Sequence, residues 1–238
     1  MTSLVSPLRL RNALLGCLAV AAFASPVRAQ RYYSPSTASK GHWEISGFGG
    51  WQLNEDIETT AQLVGRVNIY PDNTYVVGGR LAYIASHGVG AEFTYSYAKA
   101  GVDYQVSGSQ RLKLDHDLTF HGYDLNVIAQ SPEKRGQGAV GFFTAGLGAT
   151  TLVPLGKDAS GNDQSDTRFS YNLGLGGKLR LGATSPLWLR LDFRWRGIDL
   201  PTTTGAYTWC DPFYGCYYYT TNQYSTFQFM GGITYRLK

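Results

Sequence analysis

Cysteine is scarce in this chain, with three in 238 residues. That is too few for a disulfide framework or a thiolate metal centre. Histidines number four, and their spacing matches no metal-ligand pattern. Asp115-His116-Asp117 comes nearest. However, His116 and His121 lie an odd number of residues apart and would face opposite sides of an extended strand. Charged residues make up 16% of the chain, with a net charge of +4. They form no run of one sign, and the isoelectric point near 8.9 is mild, so nothing indicates nucleic-acid binding. No segment beyond the N-terminal region approaches the roughly 18 apolar residues of a membrane-spanning helix. Low-complexity tracts, linkers and repeats of roughly 20–50 residues are also missing. Glycine and aromatics are plentiful instead: 29 Gly, 17 Tyr, 11 Phe and 5 Trp. The mean hydropathy of −0.20 looks soluble, yet a sheet that meets lipid only at alternate residues averages out the same way.

The N-terminus reads as an export signal. Arg9 and Arg11 precede an apolar stretch from Ala13 to Ala24, and Val27-Arg28-Ala29 is a small-x-small site cut before Gln30. A second reading takes Leu14-Leu15-Gly16-Cys17 as a lipoprotein site, but that cut would strand most of the apolar stretch behind it. The expected organisation is a signal peptide at 1–29, a short segment at 30–40 and one domain at 41–238. Cys210 and Cys216 are then the only mature cysteines.

Strand periodicity runs through that domain. From Tyr224 to Leu237, Phe227, Phe229, Ile233, Tyr235 and Leu237 share one face, and Thr226, Gln228, Thr234 and Arg236 the other. Seven more segments alternate in the same way: Trp43 to Trp51, Tyr75 to Ile84, Val89 to Ala98, Thr119 to Ala129, Ala139 to Thr151, Phe169 to Leu181 and Leu187 to Trp195. Phe48, Phe120, Phe142 and Trp188 break the alternation. The connections also alternate. Ala85–Gly88, Gln130–Gly138 and Gly182–Pro186 are short and rich in turn residues, whereas Leu53–Thr74, Lys99–Leu118, Leu152–Arg168 and Gly197–Gln223 are long and polar. Aromatics gather near the strand ends: Trp51, Tyr75, Tyr95, Tyr97, Phe169, Tyr171 and Trp195 toward the long connections, and Trp43, Tyr83 and Tyr235 toward the short ones. This predicts an all-β, eight-stranded, antiparallel up-and-down transmembrane barrel with aromatic girdles, long external loops and short periplasmic turns. A soluble lipocalin-like barrel is the alternative, and it leaves the loop asymmetry and the banding unexplained.

On these features the chain resembles the small eight-stranded outer-membrane barrels typified by the transmembrane domain of outer-membrane protein A. The likeness runs from Gly41 to Lys238, although Tyr235-Arg236-Leu237-Lys238 ends on Leu and Lys where the family usually ends on an aromatic residue. It implies a cell-outer-membrane location, a monomer, contact with lipopolysaccharide and insertion by the barrel-assembly machinery. No peptidoglycan-binding domain follows the barrel in this sequence. The inward positions carry Arg80, Lys178, Arg180, Arg190, Arg194, Arg196 and Arg236 against Glu44, Glu92, Asp124 and Asp192. So narrow a barrel fills with side chains, and the expectation is a plug of bidentate Arg–carboxylate pairs; a narrow anion-preferring pore is the alternative.

The loop Cys210-Asp-Pro-Phe-Tyr-Gly-Cys216 predicts a disulfide in an oxidising compartment. Trp209, Phe213, Tyr214 and Tyr217 beside it form an aromatic knob suited to adhesion. A lipid-A-modifying enzyme is the third reading. A deacylase of that type would carry a Ser–His–acid set near the C-terminus, and no histidine lies in the last two strands. Gly47-Phe-Gly-Gly50 and Gly174-Leu-Gly-Gly-Lys178 lie inside strands and open no helix, so neither works as a phosphate loop. The expected role is structural or surface-interacting, without catalysis, cofactor or metal.

Overall fold

A computed structural model describes residues 41–61, 65–106, 110, 112–113, 117–133, 138–153, 165–182, 185–200, 209–211, 215–219 and 223–237. Residues 1–40, which include the expected signal peptide, lie outside the described residues. The strands are β1 (His42–Asn54), β2 (Ile57–Ala61), β3 (Gly65–Pro71), β4 (Thr74–Ile84), β5 (Val89–Ala100), β6 (Val102–Val106), β7 (Leu112–Lys113), β8 (Leu118–Gln130), β9 (Ala139–Val153), β10 (Asp166–Arg180), β11 (Leu187–Asp199), β12 (Trp209–Asp211), β13 (Gly215–Tyr219) and β14 (Gln223–Leu237). Eight of them close a barrel in the order β1-β14-β11-β10-β9-β8-β5-β4. Every barrel pair is antiparallel, and β1 pairs with β14, so the last strand seals the sheet against the first. These are the eight segments that periodicity indicated, extended at their ends.

Two of the short turns depend on glycine. Gly88 and Gly182 have φ of 85° and 104°, where an L side chain is strained. Gly88 N–H also donates to Ala85 O at 2.9 Å, which closes the first turn.

The barrel wall is polarised inside out. Trp43, Tyr75, Leu125, Val127, Leu147, Leu191, Phe229 and Tyr235 are exposed on the outer surface. Glu44, Arg80, Glu92, Asp124, Lys178, Arg190, Asp192, Arg194 and Arg196 are buried inside. A water-soluble fold has the reverse polarity, because transfer of buried charge is unfavourable and transfer of apolar surface is favourable.

Two expectations need correction. Phe48, Phe120, Phe142 and Trp188 do not break the alternation. All four are buried and have the inward parity of their strands. Phe48 and Phe142 stack beneath guanidiniums, with Arg80 Cζ 3.9 Å from the Phe48 ring centre and Arg190 Cζ 4.3 Å from that of Phe142. Arg180 and Arg236 lie 4.8 and 4.6 Å from Trp188. An inward aromatic is thus a partner for an inward cation.

The second correction concerns the long connections, which are not simply loops. They contribute a six-stranded sheet, β12-β13-β2-β3-β6-β7. Its order repeats that of the strands from which its members arise: β12 follows β11, β13 precedes β14, β2 follows β1, β3 precedes β4, β6 follows β5 and β7 precedes β8. Six neighbouring wall strands are thus each followed or preceded in the chain by a strand of the second sheet, with only Gly101 between β5 and β6. Pairing alone joins three separate connections: Tyr217 to Ala61, and Val67 to Val106.

Candidate functional site

The lumen is built in tiers, because alternate residues of each strand point inward. Nearest the short turns, Lys178 Nζ donates to Glu44 Oε2 and, at 3.1 Å, to Gln130 Oε1. Glu44 also receives His42 Nε2 at 3.1 Å and lies 3.6 Å from Arg236. Glu133, in the turn after β8, pairs with Arg180 and, at 3.1 Å, with Arg236.

The middle tier centres on Glu92. Arg190 Nη1 donates to its Oε2 at 2.5 Å and Arg194 Nη2 to its Oε1 at 3.2 Å, and Arg80 Nε lies 3.9 Å away. Asp192 accepts from Arg190 Nε at 2.7 Å and stands 3.4 Å from Arg80 Nη2. Toward the long connections, Asp124 accepts from Arg196 Nη2 and lies 3.6 Å from Arg194 Nη1. Arg196 also donates to Ser96 Oγ at 3.2 Å.

All eleven charged residues taken from the sequence as inward face the lumen. Arg190 and Asp192 form one bidentate pair, Nε to Oδ2 at 2.7 Å and Nη2 to Oδ1 at 3.5 Å. The network is not a set of separate pairs, because three guanidiniums converge on Glu92. Arg180 and Arg236 sit at the open turn end and are only partly buried.

Apolar side chains close the other end. Phe120, Leu152, Ile198, Leu200, Tyr224, Val76 and Ala98 form one buried cluster that reaches up to Ile57 and Val102 of the second sheet. Phe120 stacks on Tyr224 with ring centres 6.0 Å apart. Between this apolar closure and the turn end, the side chains of Glu92 and Arg194 are 0% exposed. A water-filled pore would leave its lining charges accessible, and among the described residues those of the central tier are not. Inward glycines make the packing possible. Gly78 lies opposite Phe48 and Gly176 opposite Phe142 in the strand registers, and a Cβ on either glycine would stand 2.5 Å from the facing ring.

Of the loop residues singled out, Phe213 and Tyr214 lie outside the described residues. The backbones of Trp209, Cys210, Cys216 and Tyr217 belong to the β12–β13 hairpin, where Trp209 is opposite Tyr217 and Cys210 opposite Cys216. Their side chains also lie outside the described residues, as do Asp115 and His116. Asp117 pairs with Lys99 at 3.0 Å, and His121 Nδ1 lies 3.0 Å from Tyr95 Oη.

No protein-family model matches the chain, and no curated protein matches it in sequence. Solved structures do match. Neisserial surface protein A superposes with a TM-score of 0.51 at 9% identity, covering 84% of this chain and all 100% of that one. The outer-membrane protein AlkL gives 0.49 at 16% identity, over 86% of this chain and 94% of that one. The N-terminal β-barrel domain of Pseudomonas aeruginosa OprF gives 0.44 at 15% identity, over 83% and 98%. At such identities the first of these speaks to the fold alone: the chain has the fold of a small eight-stranded outer-membrane barrel.

Proposed function

We propose that this chain is a monomeric protein of the cell outer membrane, with a structural or surface-interaction role carried by its long connections. The observation behind this reading is the second sheet. Six wall strands continue beyond the rim, above a lumen that is closed, so the ordered surface offered to the outside is a platform and not a pore mouth. The apolar outer belt supplies the lipid contact, including lipopolysaccharide in the outer leaflet, and the barrel-assembly machinery would insert it. The chain acts here without catalysis.

Cys210 and Cys216 are proposed to form a disulfide that staples β12 to β13. Directly opposed residues of an antiparallel pair have Cα atoms about 4.5–5.5 Å apart, within the roughly 4.4–6.8 Å that a disulfide spans. The staple would fix the hairpin whose Tyr217, Tyr218 and Tyr219 pair with β2.

The test displays the chain on a bacterial surface beside a variant whose residues 57–71 are replaced by a short Gly-Ser turn. Both should give the same heat-modifiable barrel. Retention of cells on protein-coated surfaces should fall several-fold for the trimmed chain, and partly for the native chain after reduction. Equal retention by all three would contradict a surface-interaction role.

A small anion-preferring pore is the second reading. Among the described residues the lumen's seven cations (Arg80, Lys178, Arg180, Arg190, Arg194, Arg196, Arg236) exceed its five carboxylates (Glu44, Glu92, Asp124, Asp192, Glu133). Burial of the central tier argues against it.

A further inference from the structure

The two ends of the lumen are held by different chemistry. Apolar packing fills the end toward the long connections, whereas charged side chains meet at the turn end. There Arg180 of β10, Trp188 of β11 and Arg236 of β14 come from three neighbouring wall strands, and all have the inward parity. The two guanidiniums flank the indole, with Arg180 Cζ 4.8 Å and Arg236 Cζ 4.6 Å from its ring centre. An aromatic face attracts a cation in this position.

One carboxylate joins that stack to the far wall. Glu133 lies three residues past the end of β8. In the closed order β8 stands diametrically opposite β14, with three strands between them on either side. Glu133 Oε1 accepts from Arg180 Nη2, and its Oε2 accepts from Arg236 Nη1 at 3.1 Å. The side chain therefore spans the mouth. Trp188 is 1% exposed, although it is the inward residue of β11 nearest the turns.

Exposure decides which part of the lumen network gives first. The side chains of Arg180, Glu133 and Arg236 are 26%, 31% and 21% exposed. An ion pair that water reaches is weak and is screened by salt. Behind it, Lys178 and Glu44 are each 1% exposed, and such a pair cannot part without leaving charge out of water. Phe142 packs there too, beneath Lys178 and Arg190. Loss of the Glu133 contacts would leave both guanidiniums on the indole, with Arg236 still 3.6 Å from Glu44. The stack then stays in place while its cover is gone.

We propose that Glu133 is a releasable strap across the turn-end mouth. Bound to Arg180 and Arg236, it covers Trp188. Salt releases it, and water and small solutes then enter from this end as far as Trp188 and no further.

The experiment refolds isotope-labelled residues 30–238 into detergent micelles and records the tryptophan indole N–H signals while a neutral gadolinium chelate is added. Trp188→Phe assigns the Trp188 signal by its loss, and a heat-dependent gel shift confirms that each variant has folded. At low salt the chelate should broaden this signal several-fold more in Glu133→Gln than in the native chain. Raising sodium chloride to about 1 M, where charges are screened within a few ångströms, should bring the native chain to the level of the variant. The variant itself should not respond to salt. Equal broadening of the two chains at low salt, or a salt response as large in Glu133→Gln as in the native chain, overturns the strap. In a planar bilayer Glu133→Gln should still pass no current; discrete steps would overturn the limit that the tiers behind Trp188 set.

Discussion

Replacing Glu92 with Ala should destabilise the folded barrel by about 3–5 kcal/mol, the usual loss when one member of a buried charge network is removed. Glu92 is the centre of the lumen: Arg190 at 2.5 Å, Arg194 at 3.2 Å and Arg80 at 3.9 Å all depend on it. Without it Arg194 keeps only Asp124 at 3.6 Å, and Arg80 only Asp192 at 3.4 Å. The cost comes less from the lost attraction than from guanidiniums left buried without a counter-charge. Glu92→Gln separates charge from shape, because it fills the same volume and can still accept a hydrogen bond. It should lose nearly as much as the Ala variant. Urea titration of the refolded barrel in phospholipid vesicles measures both. A loss below about 1 kcal/mol, the scale of a solvated ion pair, would mean that water reaches the arginines.

A charge on the opposite face should be costly for a different reason. Leu125 lies near the middle of β8, 66% exposed on the outer wall and with Phe93 and Leu147 as its cross-strand neighbours. Leu125→Arg should destabilise the barrel in vesicles by about 2–4 kcal/mol, the depth-dependent cost of a cation at the midplane of a bilayer. In water the same substitution at an exposed position would be nearly neutral. Urea unfolding of this variant therefore separates a lipid-facing wall from a solvent-facing one, and unchanged stability in vesicles would contradict the former.

Much of the fold was legible because a strand's period of two survives without any knowledge of its neighbours. Val89 to Tyr97 shows which side of β5 is apolar, and the same rule places Arg190, Asp192 and Arg194 together on the inner face of β11. What remained hidden depends on pairing. Phe48 and Phe142 look like errors of alternation until the register sets Gly78 opposite one and Gly176 opposite the other. Only then does each pair become a large side chain fitted over an empty position, with an arginine stacked on the ring.

The convergence of three guanidiniums on Glu92 is equally non-local, since Glu92 and Arg194 stand 102 positions apart. The second sheet escaped for a related reason. Its strands are short and polar, as in Ile57-Glu-Thr-Thr-Ala61, too brief for alternation to register. Three of its pairings are hairpins within one connection, and the two that make it a single sheet join connections distant in the chain. The histidines and cysteines, which stand out in a sequence, proved less informative than the inward glycines, which do not.

The closed lumen is tested most directly by inserting refolded residues 30–238 into a planar lipid bilayer, confirming insertion by a heat-dependent gel shift, and recording current. A folded barrel that passes no current is the predicted result. Discrete anion-preferring steps that shrink when Arg190 and Arg194 become Ala would contradict it and make the charged interior a conduction path.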